Sequence, residues 1–374
     1  MPKVAPLLFT PNYRYKPWGI PRHVQSEVFR TEVMDFLGEV FLIGTYAGKV
    51  GSGSEEVSAP HLQSGEAAGG IIREWGSGYL GKPFSQRLWV RSDNPLLYHG
   101  KPEAWYVWKV KGNVEMVHGF DPAVRPSDIE GMIRDDFFVH GTHENEYSFY
   151  HRIRQVFRTT KLQEGQAFYN QPGKIHTMMS LDGDSHAIIL ETQKGYGEGS
   201  LTMTTKFLCV GTYGLSVQVH PSTEQVRDVI THDGKLKGLF MNDPTLRLCD
   251  LVRSNRQTHA GDFLQYVDLS ANDGALTPFE ERGDGWQRRE LLFNHNFSVN
   301  VIDIDTGATF PYKSDHHCYV HGVLLDGEAL LRYNGSTQLH GVITSFSIPA
   351  ALSDKIVLEG TKKATIAFFE ENPN

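Results

Sequence analysis

The feature that most constrains the fold of this chain is a series of short segments in which apolar and polar residues alternate. Each segment is bounded by Gly, Pro, Asn or Asp, which are the residues that favour turns. Alternation with a period of two residues is typical of β-strands that bury one face. The predicted strands are Ala104–Val110, Asn113–Phe120, Gln166–Gln171, Ala187–Gln193, Thr202–Val210, Gly214–His220, Ser298–Asp305, Gly322–Leu325, Glu328–Tyr333, Val342–Ile348 and Ala364–Glu370. We therefore expect a fold that is mainly β.

Two dipeptides predict tight turns between the strands of the C-terminal part. Asp326-Gly327 separates two predicted strands and indicates a hairpin, because glycine adopts positive φ angles without steric cost. Asn334-Gly335 is a second signal of the same kind. Both turns favour antiparallel pairing of strands that are neighbours in sequence.

Helices are fewer and lie between the strand-rich parts of the chain. Ser127 with Glu130, and Ser222 with Gln225, fit capping boxes that satisfy free backbone N–H groups of a first helical turn. A third helix is indicated by the amphipathic spacing of its residues. The predicted helices are Asp128–Phe137, Thr223–Ile230 and residues 140–160. Together with the strands they predict an α+β chain of antiparallel barrels or sandwiches, with a helical insertion at about residues 122–160.

The length of the chain and one polar segment predict two domains. A chain of 374 residues is longer than most single domains. Residues 270–289 are polar and rich in turn-forming residues, so we place a boundary there. The expected domains are residues 1–290 and 291–374.

Charge and cysteine content restrict the classes of function. Lys and Arg number 36 and Asp and Glu number 44, and the resulting net charge of −8 argues against a nucleic-acid partner. No apolar run reaches the about 18 residues of a membrane span, and the N-terminal residues lack the apolar core of a signal peptide. The three cysteines form no C-x-x-C pair. We therefore expect a cytoplasmic protein whose metal sites, if it has any, use imidazole, carboxylate or amide ligands.

One predicted strand carries two polar side chains on the same face. In Leu215–Pro221 (LSVQVHP), Gln218 and His220 are two residues apart and leave the strand on one side. Such a pair either faces solvent or is satisfied inside the fold. The residues alone leave both interpretations open.

Two further segments place single ligand-type residues at defined points. Glu103 immediately precedes the aromatic strand of the segment HGKPEAWYVWKVKGN. His176 follows the Pro172-Gly173 turn in the segment GQAFYNQPGKIHTM. Glu103 can equally be a surface carboxylate, and His176 can equally be a structural histidine.

Together the three segments resemble the cupin barrel and, more specifically, the type I mannose-6-phosphate isomerase family. The resemblance implies a double-stranded β-helix, or jelly-roll, barrel that binds one zinc ion per chain. It implies that the zinc ligands are Gln218, His220, Glu103 and His176. Two imidazoles, a carboxylate and a neutral amide suit a borderline divalent ion and leave positions open for substrate.

Shorter matches extend the resemblance over most of the chain. KPWG at Lys16–Gly19, LETQ at residues 190–193 and NDPTLRLCDLVR at Asn242–Arg253 are similar to segments of the family. The stretch from residue 291 is similar to a second cupin domain, so residues 1–290 are expected to form the catalytic cupin domain. The order of motifs differs, since QVHP follows the segments of the other two ligands in this chain.

The resemblance also implies an activity, the interconversion of mannose 6-phosphate and fructose 6-phosphate by proton transfer through an enediol. Proton transfer and charge stabilisation are implied for Arg247, Lys101 and Glu191. A small sugar phosphate also needs hydroxyl, guanidinium or ammonium donors for its phosphate group, and an aromatic residue can form the floor of its pocket. The residues that we expect to contact the substrate are Ser216, Lys206, Arg253 and Trp18.

A different ligand set is also compatible with the sequence. His99 and Glu103 have the H-x3-E spacing of the general cupin motif. His99, Glu103 and His176 can therefore bind a metal without Gln218 and His220. This set favours a generic cupin enzyme or a binding protein. The remaining alternatives are an isomerase or epimerase of another sugar, and a sugar-binding cupin without catalysis.

A second group of histidines lies in the C-terminal part. His316, His317 and His321 are close in sequence to Cys318. No carboxylate at cupin spacing accompanies them, so we expect incidental histidines of a degenerate barrel rather than a second metal site.

Overall fold

The structure is a computed structural model, and it describes a little more than half of the chain. The described residues are 6–9, 11–46, 103–125, 127–128, 154–171, 174, 176–180, 185–194, 200–210, 274–294, 297–314, 320–348, 352 and 355–371. Within this part, the chain is mainly β.

The structure describes the following strands and helix in the N-terminal part. They are β1 (Leu7–Phe9), β2 (Asn12–Pro21), α1 (Arg22–Phe29), β3 (Phe36–Tyr46), β4 (Glu103–Lys111), β5 (Val114–Phe120), β6 (Phe157–Lys161), β7 (Ala167–Asn170), β8 (His176–Ser180), β9 (His186–Lys194) and β10 (Ser200–Val210). The helix α1 was not predicted from the sequence. The side-chain amide of Gln25 holds it in place by donating hydrogen bonds to the carbonyl oxygens of Ile20 and Met34.

The elements of the C-terminal part are ten strands. They are β11 (Phe279–Gly283), β12 (Trp286–Phe293), β13 (Phe297–Ile304), β14 (Thr309–Tyr312), β15 (Val320–Asp326), β16 (Glu328–Arg332), β17 (Ser336–His340), β18 (Thr344–Ile348), β19 (Ile356–Gly360) and β20 (Ala364–Glu371).

The strands form four antiparallel sheets. The larger sheets have the strand orders β2-β3-β10-β9-β4-β7 and β1-β18-β15-β20-β13-β12-β11. The smaller sheets have the orders β6-β5-β8 and β14-β19-β16-β17. The N-terminal strand β1 lies in the sheet of the C-terminal strands, where Leu8 is paired with Phe346.

Each larger sheet packs on a smaller one. The six-stranded and three-stranded sheets, here called the first sheet pair, enclose an apolar cluster that includes Trp105, Phe168 and Met178. The seven-stranded and four-stranded sheets, here called the second sheet pair, enclose a cluster that includes Phe346 and Phe368.

A third apolar cluster joins the two sheet pairs. Ala104, Tyr106 and Trp108 of β4 pack in it together with Val301 and Phe369 of the seven-stranded sheet. The residues at odd positions of β4, in contrast, face the interior of the first sheet pair. The even-numbered residues of β4 therefore serve packing alone, while its odd-numbered residues face the interior in which polar side chains can be used for chemistry.

The predicted strands that fall within the described residues are confirmed, with ends shifted by at most two residues. Asn334-Gly335 does connect a hairpin, because β16 pairs with β17. The hairpin expected at Asp326-Gly327 is wrong. The chain turns there with a φ of 79° at Gly327, but β15 pairs with β18 and β20 while β16 pairs with β17 and β19. The turn therefore links two different sheets.

One predicted helix needs correction at its end, and the predicted domain boundary lies among strands. The helix predicted for residues 140–160 is wrong at its end, where Phe157–Lys161 pairs as β6 with β5. The polar segment of residues 270–289, where the boundary was predicted, contains β11 and the start of β12. All five residues of β11 are exposed, which explains why it shows no alternation. The boundary predicted after residue 290 lies inside β12, and the division into two domains stays a prediction.

Other predicted segments lie outside the described residues. They include the strand Gly214–His220, the helix Thr223–Ile230 and most of the insertion at residues 122–160. Among the helices of the described part, none is long and apolar enough to cross a membrane.

Candidate functional site

Two of the predicted metal ligands are in contact. Glu103 is the first residue of β4 and His176 is the first residue of β8. They are 73 positions apart in sequence, yet the Nε2 atom of His176 lies 3.0 Å from Oε2 of Glu103. Both side chains are buried in the interior of the first sheet pair, with exposed fractions of 3% for Glu103 and 2% for His176.

The imidazole of His176 is held in a fixed orientation. Its Nδ1 atom donates to the carbonyl oxygen of Lys174 at 3.0 Å. The ring of Trp105 packs edge-on against it at a centroid distance of 5.2 Å, and the indole Nε1 donates to the Glu103 carboxylate at 3.2 Å. These contacts direct the Nε2 atom of His176 to Glu103.

This orientation has a consequence for protons and cations. A neutral imidazole that donates through Nδ1 has an Nε2 atom without hydrogen. An Nε2 atom of this kind and a carboxylate oxygen repel each other at 3.0 Å unless a proton or a metal ion lies between them. The donor set of Glu103 and His176 therefore fits a metal ion of the type that takes nitrogen and oxygen ligands.

The pKa of His176 is set by opposing effects of its surroundings. Burial lowers this pKa, while the charge and hydrogen bond of Glu103, the carbonyl of Lys174 and the charge of Glu191 raise it. The raising effects dominate, so the pKa lies above the ordinary value of 6.5. The pocket thus stabilises a positive charge at the position of the imidazole.

A second group of buried charges lies on the neighbouring strands. Glu191 of β9 is paired in register with Lys206 of β10, and their side chains leave the same face of the sheet. The Lys206 Nζ atom lies 3.4 Å from Oε1 of Glu191 and 2.9 Å from Oε1 of Glu39 on β3. All three side chains are buried. The ammonium group of Lys206 is therefore held between two carboxylates.

Three buried polar residues of this interior were not predicted from the sequence. Glu39 binds Lys206, His118 is paired in register with His176, and Asn170 is paired with Glu103. The His118 Nε2 atom lies 2.7 Å from the Thr160 hydroxyl. Each of the three lies in a strand that is mostly apolar, which is the only signal that the sequence contains for them.

The described part of this interior has an excess of negative charge. Three carboxylates, those of Glu39, Glu103 and Glu191, accompany the single ammonium of Lys206. Such a balance attracts a cation rather than a phosphate group. Within the described residues no group of three His, Cys, Asp or Glu side chains is arranged to hold a metal ion.

The remaining predicted site residues are not brought to this pair by the described part of the chain. Trp18 lies in β2, and nothing is described of its side chain. Those outside the described residues are His99, Lys101, Ser216, Gln218, His220, Arg247, Arg253, His316, His317 and Cys318. His321 is buried in β15 of the second sheet pair, and burial lowers its pKa to about 3.

Comparisons with known proteins give different results for the sequence and for the fold. No protein-family model matches the sequence, and no curated protein matches it either. Among solved structures, mannose 6-phosphate isomerase from Bacillus subtilis matches 98% of this chain and 99% of its own, with a TM-score of 0.55 and 15% identity. The chain has the fold of the mannose 6-phosphate isomerases.

Two further structures of these isomerases match over the same length. A single-residue variant of phosphomannose isomerase from Salmonella typhimurium covers 99% of this chain and 100% of its own, with a TM-score of 0.58 and 8% identity. A zinc-bound holo form of mannose 6-phosphate isomerase gives the same coverage, a TM-score of 0.59 and 8% identity. At these identities the likeness concerns the fold.

Proposed function

We propose that this chain is a metal-dependent aldose–ketose isomerase that interconverts mannose 6-phosphate and fructose 6-phosphate. The observation that carries the proposal is the contact of 3.0 Å between Glu103 and His176. Both residues lie in sequence segments that resemble motifs of the mannose-6-phosphate isomerase family. The likeness of fold to mannose 6-phosphate isomerases over 98% of the chain supports the same conclusion.

We propose one zinc ion per chain as the cofactor, with Glu103, His176, Gln218 and His220 as its ligands. Imidazole nitrogen and carboxylate oxygen are common zinc ligands, and the negative excess of the interior supports a cation there. A structure with the same fold is a zinc-bound holo form. When bound, the ion would polarise the sugar oxygens at C1 and C2.

Glu191 is the described residue best suited to move the proton between C1 and C2. Its carboxylate lies at 3.4 Å from the ammonium of Lys206, which holds it in place. Its charge also raises the pKa of His176, which supports a position near the proposed metal ligands. Lys101 and Arg247 remain the proposed partners that stabilise charge on the enediol.

The role of Lys206 is better described as positioning. Its ammonium is bound by Glu39 at 2.9 Å and by Glu191 at 3.4 Å, so its donors are engaged inside the protein. We therefore assign the phosphate of the substrate to Ser216 and Arg253 and keep Lys206 as the residue that orients Glu191. Trp18 remains the proposed floor of the pocket.

A second candidate function is the isomerisation or epimerisation of an unphosphorylated sugar. The observation that favours it is the excess of carboxylates over ammonium groups in the described interior, which repels a phosphate. A neutral sugar binds such an interior without this repulsion. The choice of substrate therefore separates the two functions.

The finer features of the fold and location are also part of the proposal. We propose that each sheet pair is a cupin barrel, because in both a larger antiparallel sheet packs on a smaller one around an apolar cluster. We propose the cytoplasm as the location, on the cysteine usage of the sequence.

The test is an assay of the zinc-loaded protein for fructose 6-phosphate formed from mannose 6-phosphate. We expect turnover that is lost on chelation and restored by added zinc. Unphosphorylated mannose serves as the matched substrate. Turnover of mannose alone would favour the second function, and no turnover of either sugar by the zinc-loaded protein would contradict both.

A further inference from the structure

Asn170 is a buried carboxamide whose polar atoms are unused by the fold. Its exposed fraction is 0%, and within the described part of the chain neither Oδ1 nor Nδ2 has a hydrogen-bond partner. Folded proteins rarely leave such groups unpaired, because the bonds they make with water in the unfolded chain are then lost. An unpaired buried group of this kind calls for an ion, a water molecule or a ligand.

The position of Asn170 indicates which of these it binds. Asn170 ends β7 and is paired in antiparallel register with Glu103 at the start of β4. Side chains of such a pair leave the same face of the sheet and lie close together. Since Glu103 is in turn 3.0 Å from His176, an amide, a carboxylate and an imidazole from three strands share one end of the interior.

The neighbouring residue on the same face shows where this polar end begins. Phe168 lies two residues before Asn170 on β7 and belongs to the apolar cluster of the first sheet pair. An apolar side chain at the position of Asn170 would continue that cluster. The carboxamide instead stands at the point where the interior changes from apolar to polar.

We propose that Oδ1 of Asn170 is a further ligand of the metal ion held by Glu103 and His176. This inference rests on the proposed function. An amide oxygen is a neutral ligand for divalent cations, and it completes a donor set without adding negative charge. A metal ion is also small enough to be enclosed with a side chain that is closed to solvent, whereas a sugar is not.

The test replaces Asn170 by leucine, which has a similar shape and no polar atoms. Asn170→Leu and the wild-type protein are freed of metal and titrated with Co²⁺, whose visible absorption reports its ligands. We expect affinity to fall by about tenfold or more, with a changed spectrum. The melting temperature of the metal-free variant should stay at or above that of the wild type, because no hydrogen bond is lost.

Thr192→Val is the matched control, because Thr192 is buried on the adjacent strand β9 and its hydroxyl bonds Thr205 at 3.1 Å. We expect this variant to bind Co²⁺ like the wild type. Asn170→Ala replaces Asn170→Leu if leucine prevents folding. Asn170→Asp retains an oxygen ligand and should bind Co²⁺ at least as tightly as the wild type.

The outcomes separate this inference from the proposed function. If Asn170→Leu keeps the affinity and spectrum of the wild type while Glu103→Gln loses Co²⁺, the inference is overturned and the proposed metal site stands. A variant with unchanged Co²⁺ binding but a raised KM also overturns it, in favour of a substrate contact. If the wild type binds no Co²⁺, the inference and the proposed metal site fall together.

Discussion

The interiors of the two sheet pairs differ more than their architecture does. Each interior has an apolar cluster between a larger and a smaller antiparallel sheet. The described residues of the first interior bury Glu39, Glu103, Glu191 and Lys206. In the second interior Glu370 is buried, and its carboxylate accepts hydrogen bonds from the hydroxyl groups of Tyr312 and Ser314.

The difference shows two ways in which a fold can stabilise a buried carboxylate. In the second interior neutral hydroxyl groups bind Glu370, and no charge is needed. In the first interior the carboxylates are paired with the ammonium of Lys206 and with the imidazole of His176, whose pKa is raised. In our proposal a metal ion is bound there as well. The first interior alone, among the described residues, combines buried carboxylates with a buried ammonium, and this is why our proposal puts the chemistry in the first sheet pair.

The largest expected effect separates the two interiors by activity. Glu103→Gln removes the charge of a proposed metal ligand, and we expect kcat/KM for mannose 6-phosphate to fall by roughly 10³-fold. Glu370→Gln is the matched change in the second interior and should leave kcat/KM within about threefold of the wild type. Equal losses in both variants would break the comparison, and circular dichroism of each variant would establish that it is folded.

A second contrast concerns stability. Lys206→Met leaves Glu39 and Glu191 buried without their ammonium partner, and we expect the free energy of unfolding to fall by about 3–5 kcal/mol. The exposed ion pair of Lys362 with Glu328 serves as the control. Because solvent screens it, Lys362→Met should cost about 1 kcal/mol or less. Urea unfolding of both variants measures the difference, and a small effect of Lys206→Met would contradict the buried-charge interpretation.

A smaller effect is expected from the buried histidine of the second sheet pair. Burial lowers the pKa of His321 from 6.5 to about 3, so the unfolded chain binds a proton there at pH 5 and the folded chain does not. The resulting stability is fully present above pH 6.5 and is lost as the pH falls towards 3. Between pH 7 and pH 5 this group should lower the free energy of unfolding by about 2 kcal/mol.

His321→Gln tests this contribution by urea unfolding at the two pH values. The advantage of the wild type over the variant should shrink by about 2 kcal/mol on going from pH 7 to pH 5. A difference that is the same at both values would show that His321 does not titrate in this way.

Strands were predictable where their two faces carry different kinds of residue. The segment of β4 alternates between two interiors, and its motif identified Glu103 as well. β11 has every residue exposed, so no alternation marks it. β3 was missed for the opposite reason, since its run FLGEVFLIGTY is almost continuously apolar. A period of two residues is therefore informative only where the two faces of a strand carry different kinds of residue.

The candidate site was predictable only where a motif names the residue. Glu103 and His176 were recognised from short segments, and the fold brings them together as expected. Glu39 and Asn170 were missed because their importance depends on strand register. Each lies opposite or beside a residue that is distant in sequence, as the strand pairing of Asn170 with Glu103 illustrates. A local pattern contains no information on such pairing.

The placement of β1 has a consequence for synthesis of the chain on the ribosome. Leu8 is made well before its partner Phe346, which follows it by more than 300 residues. At usual rates of translation, this strand waits about 20 to 70 s before the strand it pairs with exists. The seven-stranded sheet can therefore close only after Phe346 has been made, and until then β1 remains an unpaired apolar segment that chaperones can recognise.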